Sequence, residues 1–206
     1  MKIIDVNVLK FHAVSNTVRD SEFHVHPGPQ HDTVEKVLVI KCDDGTEGIA
    51  FGPMDERVIL STVKEILIGE DPFFRERIWR RLVQLQRLRR NLTEDTLCAV
   101  DVAIWDICGK KLNLPVSKIL GQYRETIPAY ASIMVGDDIP GGLDTPEAYA
   151  SFAASLVNQG YKAIKLHTWM PPIVPEPSVK MDLEAARKVR EEVGEDITLL
   201  MDPYHF

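Results

Sequence analysis

The stretch "YKAIKLH", residues 161–167, predicts a strand that follows one helical pattern and precedes another. The tripeptide Thr-Pro-Glu at 145–147 is typical of a helix start, and Gly160 is typical of a helix end. Downstream, a helical pattern at 182–193 precedes the strand pattern "ITLLMD" at 197–202. Strands that alternate with helices of this length indicate a parallel sheet, so residues 161–167 decide the fold of this half of the chain.

The first part of the chain has a different pattern. Residues 2–11, 34–42 and 47–52 predict strands, and Asp44-Gly45 predicts a hairpin turn because glycine tolerates a positive φ. Helical patterns follow at 55–67, 72–88 and 93–112, and a further strand pattern lies at 126–133. The sequence therefore predicts an α+β unit up to about residue 124, followed by the start of a β/α barrel or a doubly wound sheet.

Composition narrows the class of protein. The chain has 206 residues and a net charge of −7, which disfavours binding to nucleic acid or to an anionic membrane surface. No apolar run reaches the roughly 18 residues of a membrane helix, and the N-terminus lacks the pattern of a signal peptide. Cys42, Cys98 and Cys108 have no metal-ligand spacing, so we expect reduced, buried thiols in a cytoplasmic protein.

Three polar residues end the predicted parallel strands. Lys165 and His167 lie two apart, so they point to the same face, and Asp202 ends the next strand. Because the carboxyl ends of parallel strands meet at one edge, we expect the three side chains to converge. A lysine ammonium disfavours the imidazolium, which leaves His167 as a base, and an aspartate suits Mg²⁺. A base beside a divalent metal is what abstraction of a proton α to a carboxylate requires, with the metal and Lys165 stabilising the enediolate.

Each of these residues also has a simpler interpretation. A Lys-x-His pair on its own is more typical of a solvated strand end, and an aspartate before a proline is more typical of a turn. Only their combination on adjacent strands indicates a catalytic site.

The segment 99–132 carries a more specific pattern. It resembles the mandelate racemase/muconate lactonising enzyme group of the enolase superfamily. The matching residues are Asp101, Ala103, Trp105, Asp106, Gly109, Lys110, Pro115, Leu120 and Gly121. We interpret them as fold markers: Ala103 and Gly109 permit close helix packing, and Trp105 fills the core. The resemblance implies an α+β capping domain at 1–124 and, at 125–206, the first three strands of an incomplete α/β (TIM-type) barrel.

The resemblance also implies roles for the strand-end residues. Lys165 and His167 fall where the family carries its catalytic Lys-x-Lys pair, and Asp202 falls where it carries the first carboxylate ligand of Mg²⁺. Two departures stand out: His167 replaces the second lysine, and Asp202-Pro-Tyr-His205 replaces Asp-x-Asn. Further carboxylate ligands are expected beyond residue 206.

The resemblance further implies that the loop at about 15–33 covers the substrate. We interpret His24 and His26 in that loop, and His205 after the third strand, as substrate-binding residues rather than as a metal site.

The implied activity is Mg²⁺-dependent abstraction of the α-proton of a small carboxylate substrate, with sugar-acid dehydration as the leading prediction. A racemase or epimerase and a lactone cycloisomerase are alternatives within the same chemistry. A lyase that uses Lys165 as a Schiff-base nucleophile is an alternative from another class. Because three strands cannot close a barrel, we expect the chain alone to be inactive and to associate with itself, as a homo-oligomer, or with a partner. A further alternative is an inactive fragment that only binds a partner.

Overall fold

The structure, a computed structural model, describes residues 1–19, 25–89, 91–133, 143, 145–167 and 179–202, and the side chains of 18–19 and 25–28 are not described. The chain divides into two compact units: Met1–Ala13 with Asp32–Glu125, and Val14–His31 with Thr126–Phe206. These units differ from the predicted domains 1–124 and 125–206 in the grouping of Val14–His31 and of Glu125, and the domain assignment stays a prediction.

Three strands form the first sheet, in the order β1-β2-β3. They are β1 (Ile3–Arg19), β2 (Val25–Cys42) and β3 (Glu47–Phe51), and β2 and β3 run antiparallel. Gly45, in the turn between them, has a φ of 84°, as the Asp-Gly pattern predicted. The sequence did not indicate how far β1 and β2 extend.

The predicted loop at 15–33 is therefore wrong for its described residues, because 15–19 and 25–33 are strand. Pairing between β1 and β2 satisfies their backbone groups, so the two strands continue where the side chains show no apolar alternation.

Helices follow the first sheet. They are α1 (Glu56–Val58), a π-helical turn (Ile59–Val63), α2 (Lys64–Leu67), a 3₁₀ turn (Pro72–Phe74), α3 (Arg75–Leu88), α4 (Glu94–Leu112) and α5 (Val116–Ile119). Asp55 caps α1 by accepting from the amides of Arg57 and Val58, and Thr93 caps α4 by accepting from the amide of Thr96. Within the described ranges, no helix combines the length and apolar character needed to cross a membrane.

The core of the first unit lies between α4 and the sheet. The predicted apolar face of α4 is confirmed, because all four of its residues are at most 2% exposed: Leu97, Val100, Ile104 and Ile107. Gly48 of β3 lies directly against the α4 backbone, where a Cβ would overlap the carbonyl oxygen of Ala103 and come within 2.5 Å of Ile107 Cγ1. This strand and this helix approach as closely as they do because position 48 has no side chain.

The interpretation of Trp105 as a core residue is wrong. Its ring is half-buried, and the guanidinium of Arg75 lies 3.9 Å from the ring centroid. A cation over an indole face is favourable, so Trp105 joins α3 to α4 at the boundary of the core.

The second sheet is parallel, as predicted, with strand order β4-β5-β6. Its elements are β4 (Ala131–Ile133), α6 (Pro146–Asn158), β5 (Ala163–His167), α7 (Val179–Val193) and β6 (Thr198–Asp202). Strand β4 is shorter than the predicted 126–133. Pro128 lies in the part that is not strand, where its missing N–H removes a donor from the ladder.

Tyr149 of α6 contacts the ends of two parallel strands through its hydroxyl. Its side chain is fully buried, and its hydroxyl faces the carbonyl oxygen of Ile133 at 3.0 Å and that of His167 at 3.2 Å. These carbonyls belong to the last residues of β4 and β5. A single buried hydroxyl thus fixes the edge of the sheet at which the predicted site residues lie.

The cysteines only partly match the expectation of buried thiols. All three are free; Cys42 and Cys108 are buried, but Cys98 is exposed. Burial raises the pKa of the Cys42 thiol to about 11, with the carboxylates of Asp44 and Asp43 adding to the effect. Burial also raises the pKa of the Cys108 thiol.

We predict that Gly48→Ala lowers the free energy of unfolding by about 1–3 kcal/mol, because overpacking displaces β3 from α4. Thermal and urea unfolding measure the loss. Gly45→Asn is the matched control: position 45 has open space around it, and asparagine tolerates its positive φ. Equal stability of the Gly48→Ala protein and the unmodified protein would contradict the close packing of β3 on α4.

We predict that Tyr149→Phe costs about 1–3 kcal/mol of unfolding free energy, because it removes the one buried hydroxyl that can donate to the carbonyl oxygens of Ile133 and His167. Urea unfolding followed by circular dichroism measures the cost. Tyr123→Phe is the control, since the side chain of Tyr123 is 90% exposed. A cost no larger than that of the control would show that the hydroxyl does not hold the strand ends.

We predict that one thiol per chain reacts rapidly with a disulfide reagent under native conditions, and that this thiol is Cys98. The two buried thiols react only after unfolding, because the thiolate is the nucleophile and burial disfavours it. Counting the released chromophore with and without denaturant measures this, and Cys98→Ser removes the fast phase. A fast phase that persists in Cys98→Ser would overturn the assignment.

Candidate active site at the carboxyl ends of the parallel strands

The register of the second sheet places four polar residues on one face. Ser132 of β4 pairs with Lys165 of β5, and His167 pairs with Asp202 of β6. Paired residues of neighbouring parallel strands point to the same side, and so do residues two apart on one strand. Ser132, Lys165, His167 and Asp202 therefore share one face at the carboxyl end of the sheet.

The opposite face holds the sheet against its helices. Ile164 and Leu166, which alternate with the polar residues along β5, are 0% and 1% exposed and belong to the core of the second unit. Because a shift of one residue would exchange the two faces, burial of these side chains fixes which side Lys165 and His167 occupy.

Lys165 forms an ion pair with Asp202. Its Nζ donates to Oδ2 of Asp202 at 3.0 Å, and the ring of Tyr130 lies 5.3 Å from the same nitrogen. The hydrogen bond to Asp202 is the main reason that the pKa of Lys165 lies above its ordinary value, against the opposing effect of burial. A protonated lysine suits stabilisation of a negative charge. A Schiff-base nucleophile needs the opposite shift, towards the neutral amine.

His167 lies between Ser132 and Asp202. Its Nε2 is 2.9 Å from Oγ of Ser132, and its Nδ1 is 3.8 Å from Oδ2 of Asp202. The residue is only 9% exposed. Oδ2 of Asp202 therefore lies near both the Lys165 ammonium and the ring of His167, a neighbour that the sequence-based expectation for this ring did not include.

Asp202 is the residue of this group that fits a hard cation. It ends β6, and its side chain is 36% exposed, more than those of Lys165 and His167. A carboxylate is the ligand type that Mg²⁺ prefers, but the ion takes about six oxygens. Among the described residues there is no group of three or more histidine, cysteine, aspartate or glutamate side chains that could hold a metal ion.

The structure brings together three of the six predicted site residues, namely Lys165, His167 and Asp202. His24 and His205 lie outside the described residues, as does the side chain of His26. The catalytic and metal-binding roles of the first three, and the substrate-binding roles of the histidines, stay predictions.

Sequence reasoning missed the residues that support the site. Tyr130 immediately precedes β4, Ser132 lies within it, and Tyr149 lies one turn into α6. The alternation of polar side chains in "AYASI" (129–133) was a usable signal for the first two, because residues two apart share a face. The contact of Tyr149 with two strand ends had no signal in the sequence.

The sequence profile of the mandelate racemase / muconate lactonizing enzyme N-terminal domain matches residues 13–121. Among curated proteins, the chain is 34% identical over 176 residues to D-galactarolactone cycloisomerase of Agrobacterium fabrum, covering 82% of this chain and 44% of that enzyme. It is 26% identical over 216 residues to N-succinyl-L-Arg/Lys racemase of Bacillus cereus, covering 96% of this chain and 51% of the racemase.

Among solved structures, D-glucarate dehydratase from Agrobacterium tumefaciens, complexed with magnesium, is 48% identical with a TM-score of 0.90, covering 98% of this chain and 54% of the dehydratase. The chain spans about half the length of the curated relatives it matches. These relatives are enzymes of three reaction types: a cycloisomerase, a racemase and a dehydratase. Together with the matched profile, they show that the chain belongs to the mandelate racemase/muconate lactonizing enzyme family.

Proposed function

We propose that the protein dehydrates a sugar acid by abstracting the proton α to its carboxylate, and that D-glucarate is the first substrate to test. His167, Lys165 and Asp202 lie together at the strand ends. This arrangement supports abstraction of a proton by a base, next to a cation that can stabilise the negative charge that develops on the substrate. The similarity to the D-glucarate dehydratase from Agrobacterium tumefaciens supports the choice of substrate. Cytoplasmic location and homo-oligomeric assembly stay predictions.

The proposal includes Mg²⁺, with Asp202 as one ligand and further carboxylates beyond residue 206. The ion, when bound, supplies positive charge to the substrate carboxylate. The magnesium in the related dehydratase supports this assignment, as does the preference of the ion for carboxylate oxygens.

The chain's own residues would carry the proton. His167 takes the α-proton, so the C–H bond breaks and its electron pair moves into the carboxylate. The Lys165 ammonium, charged at neutral pH, lies where it stabilises that added negative charge. His167 then returns the proton to the β-hydroxyl, the C–O bond at the β-carbon breaks, and the hydroxyl leaves as water. The resulting enol becomes a 2-keto-3-deoxy acid. The sum is substrate minus one water.

Racemisation and lactone cycloisomerisation share the first of these steps, so substrate profiling separates them from dehydration. The protein that carries this segment is incubated with Mg²⁺ and D-glucarate, and the products are followed by NMR. D-Galactarolactone and N-succinyl-L-arginine test the cycloisomerase and racemase alternatives. We expect a 2-keto-3-deoxy acid from D-glucarate and loss of turnover on chelation. Turnover of either of the other two compounds, with none of D-glucarate, would reject the proposal.

We predict that His167→Asn reduces kcat by about 10²–10⁴-fold, since a general base contributes this much. Asparagine retains a polar side chain of similar size, so the fold and Mg²⁺ binding are expected to remain. The measurements are kcat, thermal unfolding and calorimetric titration with Mg²⁺. His12→Asn, at an exposed position in the first unit, is the matched control. A kcat within a few-fold of the control would show that His167 is not the base.

A further inference from the structure

We propose that a basic face of α3 docks onto an acidic turn at the end of α7 in a second copy of this chain. The basic face consists of Arg77, Arg80, Arg81 and Arg87, and the acidic turn consists of Glu191, Glu192, Glu195 and Asp196. Both surfaces lie outside the candidate active site, and the inference does not rest on the proposed function. It adds to the expectation of a homo-oligomer the two surfaces that meet.

Helix α3 is strongly basic in an acidic chain. Its five arginines and one glutamate give it a net charge of +4, whereas the whole chain has a net charge of −7. Ile78 and Leu82 are 1% exposed and hold one side of the helix in the core of the first unit. Because an α-helix has 3.6 residues per turn, Arg80 and Arg87 lie on the opposite side, and both are exposed.

Two of the four arginines already have an acidic partner. Arg77 and Arg81 both pair with the carboxylate of Glu70. Within the part of the chain that the structure describes, no carboxylate forms an ion pair with Arg80 or Arg87. Arginine is the cation best suited to ion pairs at protein interfaces, because its planar guanidinium is weakly hydrated and can bind a carboxylate through two N–H groups. The basic face therefore has two cations left for an acidic partner.

The acidic turn has the complementary property. All four of its residues are exposed, and among the described residues only Glu191 has a cationic partner, Arg187. Arg190 lies close by in sequence, but its guanidinium donates to the carbonyl oxygens of Gly194 and Ile197. The end of a helix carries a partial negative charge of its own, so carboxylates placed there are stabilised by an incoming cation.

Charge complementarity identifies the partner as a second copy. The unpaired arginines and the unpaired carboxylates belong to the same chain, so every copy offers both surfaces to another, and the contact joins unlike surfaces. The net charge of −7 opposes the approach of a polyanion, such as nucleic acid or an anionic membrane. Leu88, next to Arg87, is 83% exposed and adds an apolar contact that suits a protein surface.

The first test is self-association of the protein that carries this segment, followed by sedimentation velocity at low and at high ionic strength. Arg80→Glu with Arg87→Glu, and separately Glu192→Arg with Glu195→Arg, are each expected to weaken the association at least about tenfold, because attractive charge pairs become repulsive. High salt is expected to weaken association of the unmodified protein. No self-association of the unmodified protein, or an association that neither pair of substitutions weakens, would overturn the proposal.

The matched control is Lys118→Glu with Arg124→Glu. Both residues are exposed in the first unit, and this pair of substitutions changes the net charge by the same amount as the pair in α3. We expect the control protein to associate like the unmodified protein. An equal loss of association in the control would show that net charge, rather than the basic face, governs assembly.

The second test mixes the two charge-reversed proteins. In the mixture the reversed face of one protein meets the reversed turn of the other, and the remaining native face meets the remaining native turn. We therefore expect association to return in the mixture, although each protein alone associates weakly. A mixture that stays dissociated would reject the pairing of these two surfaces.

Two further results would overturn the proposal in favour of another role for the basic face. Binding of heparin or of anionic lipid vesicles that depends on Arg80 and Arg87, without self-association, would assign the face to a polyanion. A lower unfolding temperature of the Arg80→Glu, Arg87→Glu protein, with unchanged association, would place these arginines in a contact within one chain. None of these measurements uses turnover, so failure of the proposed function leaves their interpretation unchanged.

Discussion

The parallel register of β4, β5 and β6 is the constraint on which the candidate site depends. Burial of Ile164 and Leu166 against the helices leaves one side for the residues that alternate with them. A slip of one residue would bury Lys165 and His167 among apolar side chains, which is costly for a charged ammonium. The apolar core of the second unit thus determines the polar face, although no apolar side chain takes part in the proposed chemistry.

On that face, a small number of polar atoms contact Lys165 and His167. One oxygen of Asp202 lies near both Lys165 and His167, while Ser132 and Tyr149 restrain the ring and the backbone of His167. In the proposed mechanism His167 is the general base, which needs a defined ring orientation. The groups that contact its ring and its carbonyl come from β4, β6 and α6 rather than from the strand that carries the histidine. The site is therefore a property of three strands and one helix.

In the first unit, one close approach between backbones and one contact between side chains hold the elements together. Gly48 allows β3 to lie against α4 at Ala103, and Arg75 covers the half-buried ring of Trp105. These contacts involve residues of the segment by which the family was recognised. Ala103 and Trp105 are consequently markers of packing, which explains how they identify the family without belonging to the candidate site.

The sequence by itself determined the order of strands and helices, the helix starts at Thr93 and Thr145, the family, and the shared face of Lys165, His167 and Asp202. Such features depend on local periodicity, turn chemistry and short spacing, which a single chain displays directly. The tertiary structure alone decided the length of β1 and β2, the exposure of Cys98, and the contacts of Ser132 and Tyr149 with His167. Those features arise when segments 18 to 35 residues apart in sequence, or whole strands, come together, and no local pattern specifies which atoms then meet.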